Sequence, residues 1–196
     1  MFPIVTVENQ GSFAAKIAGV IVGSNLVGAA VFLIARRRRA GPVSRPTHTR
    51  PSFTDAQLQD LAARFASAAI PKAEWTHAAH LAVGLWHVDR YGPEEALTRL
   101  RGGIRRLNDS HGTPNSTTGG YHETVTRAYV VLFTELLAAG APGTLLAERL
   151  LAVLTGPLGA RDALLEYYSR EKLFSPHARE VWEEPDLHPL NARERP

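Results

Sequence analysis

Residues 75–91, WTHAAHLAVGLWHVDRY, have the residue pattern of a helix buried at the centre of a helical domain. An advance of about 100° per residue places five positions within an arc of about 80° on a helix. These positions are His77, His80, Gly84, His87 and Tyr91. The other faces are apolar almost all round, which is typical of a buried helix. Buried polar groups need partners, so a row of imidazoles on such a helix indicates a candidate site for a ligand or metal ion.

Helical patterns continue on both sides of this stretch, separated by Gly and Pro. Thr54 and Gln57 have the spacing of a capping box before LQDLAARFASAAI. Gly92 and Pro93 end the histidine-bearing helix and begin the next one, PEEALTRLRGGIRRLN. A polar, Gly-rich loop over residues 109–120 then precedes a long helix, YHETVTRAYVVLFTELLAAG.

Two more helices are predicted from TLLAERLLAVLTG and from residues 160–174, ARDALLEYYSREKLF. No run of residues alternates with period two for long enough to indicate a sheet. The sequence therefore predicts an all-α fold, a compact bundle of five to six helices over residues 53–175. The Pro-containing residues 176–196 are predicted to form a C-terminal coil tail.

Composition narrows the classes of function. The chain has 196 residues and no Cys, which excludes disulfides, a thiol nucleophile and thiolate-bound metals. Its net charge of +3 is unevenly distributed, since residues 1–50 carry seven basic side chains against Glu8 alone. The remaining residues have a net charge of −3. The basic excess thus lies outside the predicted domain, and no nucleic-acid partner is expected.

The first quarter of the chain has the features of a membrane anchor. After a tail over residues 1–12, residues 13–35 are predicted to form a transmembrane helix, and the 19 uncharged residues 17–35 within it span roughly 28 Å. Four arginines follow directly and open a basic, Pro-containing linker over residues 36–52. Because positive charge favours the cytoplasmic side, the domain is expected to be cytoplasmic and held at the cell membrane by a single span.

Other readings of this segment stay open. Translation could begin further downstream, for instance near Val43, and the protein would then be cytoplasmic. The segment could also be a buried helix of a soluble protein. If the anchor is made, Gly19 and Gly23 have the GxxxG spacing that lets two helices pack closely, so a homodimer is possible.

The histidines suggest a metal site between two helices. His77 and His80 are neighbours on one turn, which suits two imidazoles that bind one ion. His122 supplies a third ligand, and Glu123 a fourth ligand or a general base. The prediction is a metal-dependent enzyme that acts hydrolytically or oxidatively on a small molecule. Zinc, iron, nickel or manganese would suit this divalent site.

Other polar residues are candidates for a ligand pocket: His87, Tyr91, His111, Asn115 and Thr126. The alternative function is a helical domain that binds a small molecule without chemistry, using these side chains and the row of imidazoles. A third interpretation is structural, with each histidine bonded to a backbone carbonyl or a carboxylate in the core. The metal-dependent enzyme is the preferred prediction of the three, because His77 and His80 are neighbours on one turn.

The motifs WTHAAHL and HGTPNSTTGGYHET, together with YYSREKLFSPHAREVWEEPDL, resemble those of a family of small, uncharacterised bacterial proteins. The resemblance covers roughly residues 51–190. It implies no activity, substrate or cofactor, so the site hypothesis rests on residue chemistry. It does imply that most relatives lack the N-terminal anchor, which adds some weight to a downstream start while the anchor remains the preferred prediction.

Overall fold

The described part of the protein, residues 53–191 of a computed structural model, begins with the capping box expected from the sequence. The Thr54 hydroxyl accepts a hydrogen bond from the Gln57 backbone N–H, and the Gln57 side chain accepts one from the Thr54 N–H. Helix α1, Asp55–Ala66, starts at this pair. The predicted segments 1–12, 13–35 and 36–52 lie outside the described residues, as do residues 192–196 of the predicted tail.

The described residues are helical, without strands, which confirms the all-α class. After α1 follow four helices of ten or more residues and two short ones: α2 (His77–Tyr91), α3 (Pro93–Ser110), α4 (Glu123–Ala139), α5 (Leu146–Thr155), α6 (Arg170–Leu173) and α7 (Pro176–Glu180). Two 3₁₀ turns, Pro157–Gly159 and Ala163–Glu166, join α5 to α6. Within residues 53–191, no helix combines the length and the hydropathy that a bilayer span requires.

Helix α2 lies at the centre of the fold, as its sequence predicts. It packs against α1, α3, α4 and α5. Leu81, Val83 and Leu85 are almost completely buried, and they join residues of the neighbouring helices in the main hydrophobic core. Because neighbouring helices cover α2 on several sides, apolar side chains nearly all round its surface are buried.

Residues 160–174 do not form the single helix that was predicted. The Ser169 hydroxyl caps the short helix α6 by accepting a hydrogen bond from the Lys172 N–H. The Tyr167 carbonyl accepts hydrogen bonds from the Leu187 N–H at 3.0 Å and from the His188 N–H at 3.4 Å, both in the tail. Burial of Tyr167 and Tyr168 in a second core cluster fixes this break, because tertiary packing outweighs local helix propensity.

The chain after Ser175 is more ordered than a coil that merely wraps the surface. It begins with helix α7, and its later residues hydrogen-bond to the domain. The Thr124 hydroxyl donates to the Val181 carbonyl, and the same oxygen accepts from the Glu183 N–H. These bonds attach the tail beside the first turn of α4.

Candidate ligand-binding site

A cavity of about 420 Å³ lies between α2, α3, α4 and the chain segment 161–174, and we call it the α2–α4 cavity. Most of its wall is apolar, with Val83, Ile104 and Phe133 among the lining side chains. Its polar lining residues are Thr76, His77, His80, Thr126, Tyr129, Arg161 and Asp162. Of the residues predicted as ligands or pocket residues, the cavity brings together His77, His80 and Thr126. The volume falls in the ~300–1,000 Å³ range of small-molecule pockets.

His80 presents one free ring nitrogen in the region of this cavity. Its Nδ1–H donates to the Thr76 carbonyl at 2.7 Å, and its ring stacks on Trp75 with 3.9 Å between ring centroids. These two contacts fix the ring, while Nε2 has no hydrogen-bond partner among the described residues. Desolvation lowers the pKa of His80, and the nearby charges of His77 and Arg161 add to the effect. A neutral imidazole with a free acceptor nitrogen therefore lines the cavity.

The other polar groups of the cavity differ in whether they have hydrogen-bond partners within the protein. The His77 Nε2–H donates to the Gly159 carbonyl at 3.2 Å. The Arg161 guanidinium has no hydrogen bond or ion pair among the described residues, and Arg161 and Asp162 are both exposed. Desolvation and the charge of Asp162 raise the pKa of Tyr129 to about 12, so its hydroxyl stays protonated.

Gly84 lines the cavity, but its lack of a side chain also serves the core. A Cβ at this position would lie 3.0 Å from the Cε2 atom of Phe133. That distance is shorter than an ordinary van der Waals contact, so an alanine would push on the buried Phe133 ring. The glycine in the row of imidazoles thus permits close packing of α2 against α4.

Glu123 is a buried carboxylate that pairs with the partly exposed Arg101, and it does not line the cavity. It is 7% exposed, and it accepts hydrogen bonds from Arg101 Nε at 2.9 Å and from Arg101 Nη2 at 2.5 Å. The Tyr121 hydroxyl donates to it at 2.9 Å. Although desolvation opposes them, these hydrogen bonds lower the pKa of Glu123. A carboxylate held ionised by three donors is a weak base, so the geometry gives no support to a general-base role.

His122 caps helix α4 and has both ring nitrogens occupied. Its Nε2–H donates to the Leu173 carbonyl at 2.9 Å, and its Nδ1 accepts from the Val125 N–H at 3.4 Å. Desolvation, with a contribution from Arg179, lowers the pKa of His122 to about 4. The ring is therefore neutral near pH 7, and its lone pair is used within the protein. A metal ion could bind it only by displacing the helix cap.

Asn115 organises the Gly-rich loop through its side-chain amide. The Oδ1 atom accepts from the Asn108 side chain at 2.9 Å and from the Tyr121 N–H at 3.1 Å. The amide nitrogen donates to the Asp109 carboxylate at 2.9 Å and to the Arg105 carbonyl at 3.2 Å. We call the group of Arg101, Asn115, Tyr121, His122 and Glu123 the loop clamp, because it ties the loop to α3 and α4.

The remaining predicted pocket residues lie away from the lining of the α2–α4 cavity. His111 donates from Nε2 to the Ile70 carbonyl at 2.7 Å and so fixes the end of α3. His87 and Tyr91 line a different pocket, together with Trp86 and Arg99. His87 is buried and bonds through Nδ1 to the Val83 carbonyl, and Arg99 lies over the Tyr91 ring.

The predicted metal site finds no support in this arrangement. Residues 53–191 contain no group of three or more His, Asp or Glu side chains placed to hold one metal ion. His77 and His80 line the cavity, whereas His122 and Glu123 belong to the loop clamp. The binding of zinc, iron, nickel or manganese stays a prediction from the sequence.

Several residues of the cavity were not among the sequence predictions: Trp75, Tyr129, Arg161, Asp162 and Phe174. Trp75 lies in the WTH motif, and its stacking on His80 follows from the tight turn before α2. No sequence pattern predicts that Arg161 and Asp162 line the cavity, because they lie in the irregular segment between the two 3₁₀ turns. No protein-family model, curated protein or solved structure matches this chain.

Proposed function

We propose that this domain binds a small molecule with a large apolar part in the α2–α4 cavity. The observation that carries the proposal is a mainly apolar cavity of about 420 Å³ with a few polar groups on its wall. Ligand pockets commonly combine apolar walls, which supply binding energy, with a few polar groups that orient the ligand.

The state of the polar groups supports binding at this place rather than at the loop clamp. The His80 Nε2 and the Arg161 guanidinium have no hydrogen-bond partner among the described residues, whereas the loop-clamp side chains bond to one another and to the backbone. A ligand that enters the cavity can therefore gain hydrogen bonds without breaking existing ones.

A thermal-shift assay on the full-length chain tests this function with three probes that share one apolar body: 2-naphthoate, 2-naphthol and 2-naphthylmethylamine. We expect at least one probe to raise the melting temperature. The Val125→Trp variant should abolish the effect, because Val125 lines the cavity and the larger side chain would fill it. Val131→Trp is the matched control, since Val131 is also partly buried on α4 but does not line the cavity. A wild-type chain that responds to none of the probes contradicts the proposal.

Metal-assisted hydrolysis or oxidation is the other function predicted from the sequence. Its support is the chemistry of His77 and His80 on one turn of α2, without a third ligand among the described residues. Elemental analysis of untagged protein tests it, with His80→Ala as the comparison. One metal ion per chain, lost in His80→Ala, would establish metal binding and would replace simple ligand binding as the preferred function.

We further propose that residues 13–35 anchor the domain at the cytoplasmic face of the cell membrane. The support comes from the sequence, namely the uncharged segment 17–35 and the four arginines after it. Fractionation of cells that express the full chain tests the anchor. Recovery in the soluble fraction, as the downstream start predicts, would contradict it. Crosslinking of the wild type and a Gly19→Leu variant tests the predicted homodimer.

A further inference from the structure

We infer that the ligand of the α2–α4 cavity is a small carboxylic acid, with its carboxylate held by Arg161 beside His80 and its apolar body in the cavity. This inference rests on the proposed function and specifies the chemical class of the ligand.

Arg161 is the group that favours an anion. Arg161 lines the cavity, and its guanidinium has no acidic partner among the described residues. In contrast, Arg64, Arg99 and Arg101 each form an ion pair with a carboxylate. A guanidinium presents a planar pair of donors that matches the two oxygens of a carboxylate, so a carboxylate ligand completes its bonding.

His80 favours the same kind of ligand. His77 and Arg161 both act electrostatically on its ring, so three groups that carry or can take a positive charge lie close together. Desolvation is the main cause that lowers the pKa of His80, and these two charges add to it. A carboxylate is the ligand group that this concentration of positive and donor groups on the cavity wall attracts.

The remaining groups of the cavity set the limits of this assignment. Asp162 is the acidic lining residue, and it acts on Tyr129, whose hydroxyl remains a donor. The lining residues from α3, Leu100 and Ile104, carry no charge. Positive and donor groups thus outnumber the single carboxylate, so an acid is favoured over an amine with the same apolar body.

Isothermal titration calorimetry with the full-length chain at pH 7 tests the assignment. We expect 2-naphthoate to bind roughly tenfold or more tightly than 2-naphthol and 2-naphthylmethylamine. Arg161→Gln should reduce this preference to less than about threefold, because it removes the bidentate partner. Arg90→Gln is the matched control, since Arg90 is also an exposed arginine but lies at the far end of α2 and does not line the cavity.

A second measurement examines His80. His80→Gln should weaken the binding of 2-naphthoate, while His111→Gln should retain it because His111 bonds to the Ile70 carbonyl outside the cavity lining. Equal affinities of the wild type and His80→Gln would contradict the role of His80.

The outcomes separate the two proposals. Equal binding of the three probes, or a preference for 2-naphthoate that persists in Arg161→Gln, overturns the carboxylate assignment and leaves cavity binding intact. Tighter binding of 2-naphthylmethylamine would assign the polar end to Asp162 instead. A failure of all three probes to bind overturns the proposed function itself.

Discussion

The α2–α4 cavity and the loop clamp are both rich in polar side chains, yet the two regions use those groups in opposite ways. In the loop clamp, the Glu123 carboxylate accepts from Arg101 and Tyr121, and both ring nitrogens of His122 are bonded. In the cavity, the His80 Nε2 and the Arg161 guanidinium have no such partner among the described residues. A polar motif therefore indicates a ligand-binding site only where its donors and acceptors have no partner within the protein.

This contrast separates two kinds of energetic role. Removing a loop-clamp group leaves a partner unsatisfied in a buried place, which costs stability. Removing an open cavity group costs little stability and affects ligand binding instead. We therefore expect the loss in free energy of unfolding to decrease from substitutions in the loop clamp to substitutions in the cavity.

Substitution of Glu123 should have the largest effect. Glu123→Gln removes the charge that Arg101 pairs with, and we expect a loss of about 2–3 kcal/mol of stability. The loss stays below that of a fully buried pair because the Arg101 side chain is 38% exposed. Urea denaturation at pH 7 measures it, with Glu95→Gln as the control. The Glu95–Arg99 pair is solvent-exposed, so its loss should cost less than about 0.5 kcal/mol. Equal losses in the two variants would contradict a structural role for the loop clamp.

Acidification should weaken the fold through His122. Its pKa is about 4 in the folded protein against an ordinary value of 6.5, so the unfolded chain binds more protons between these pH values. Stability contributed by the neutral ring is therefore present above pH 6.5 and is lost as the pH falls towards 4. Between pH 6.5 and 4.5, we expect the free energy of unfolding to fall by about 1–2 kcal/mol more in the wild type than in His122→Asn.

His122→Asn is suited to that comparison because asparagine is also a good N-cap and does not titrate. The difference between wild type and variant, followed by urea denaturation at several pH values, isolates His122 from His80 and His87, whose pKa values are also lowered. Parallel pH curves for the two proteins would refute the assigned bonding of His122.

Loss of the Asn115 amide should have a smaller effect, confined to the loop. Asn115→Ala removes four hydrogen bonds around an exposed side chain, and we expect a loss of ~1 kcal/mol. Amide hydrogen exchange should become faster in residues 112–121. Ser116→Ala, at the next position of the same loop, serves as the control because the described bonds of Ser116 are local, to Thr118 and Gly119. Unchanged exchange in Asn115→Ala would show that the amide does not hold the loop.

The cavity group His80 should give the smallest change in stability. His80→Gln loses the stacking on Trp75 and the exposed, local bond to the Thr76 carbonyl, which water can replace, so we expect a loss of about 0.5 kcal/mol. His111→Gln should cost more, since its bond to the Ile70 carbonyl is partly buried and joins the end of α3 to a distant part of the chain. A larger loss for His80→Gln, measured by urea denaturation, would place His80 among the structural groups and remove it from the site.

Much of the helical fold follows from local signals. The Thr54–Gln57 pair starts α1, and Gly92 with Pro93 separates α2 from α3. The apolar faces of residues 78–88 predict the burial of α2. The break within residues 160–174 could not be predicted, because the Tyr167 carbonyl bonds to Leu187, twenty residues further along the chain.

The candidate site was only partly predictable. The spacing of His77 and His80 put both on one turn of α2, and both line the cavity. The same chemistry suggested His122 and Glu123, because the sequence does not reveal that Leu173 and Arg101 already use their bonding capacity. Arg161 reaches the cavity through two 3₁₀ turns that have no strong sequence pattern.

The amino-acid sequence is enough to predict the five long helices, the N-cap of α1 and the burial of α2, since these depend on periodicity and on bonds between residues close in the chain. Tertiary structure alone decided which polar side chains stay open. Arg101 meets Glu123 across 22 positions, and His122 meets the Leu173 carbonyl across 51 positions. Bonding capacity is filled by whatever the fold brings near, and so His122 and Glu123 became part of the framework, while His80 and Arg161 line a cavity.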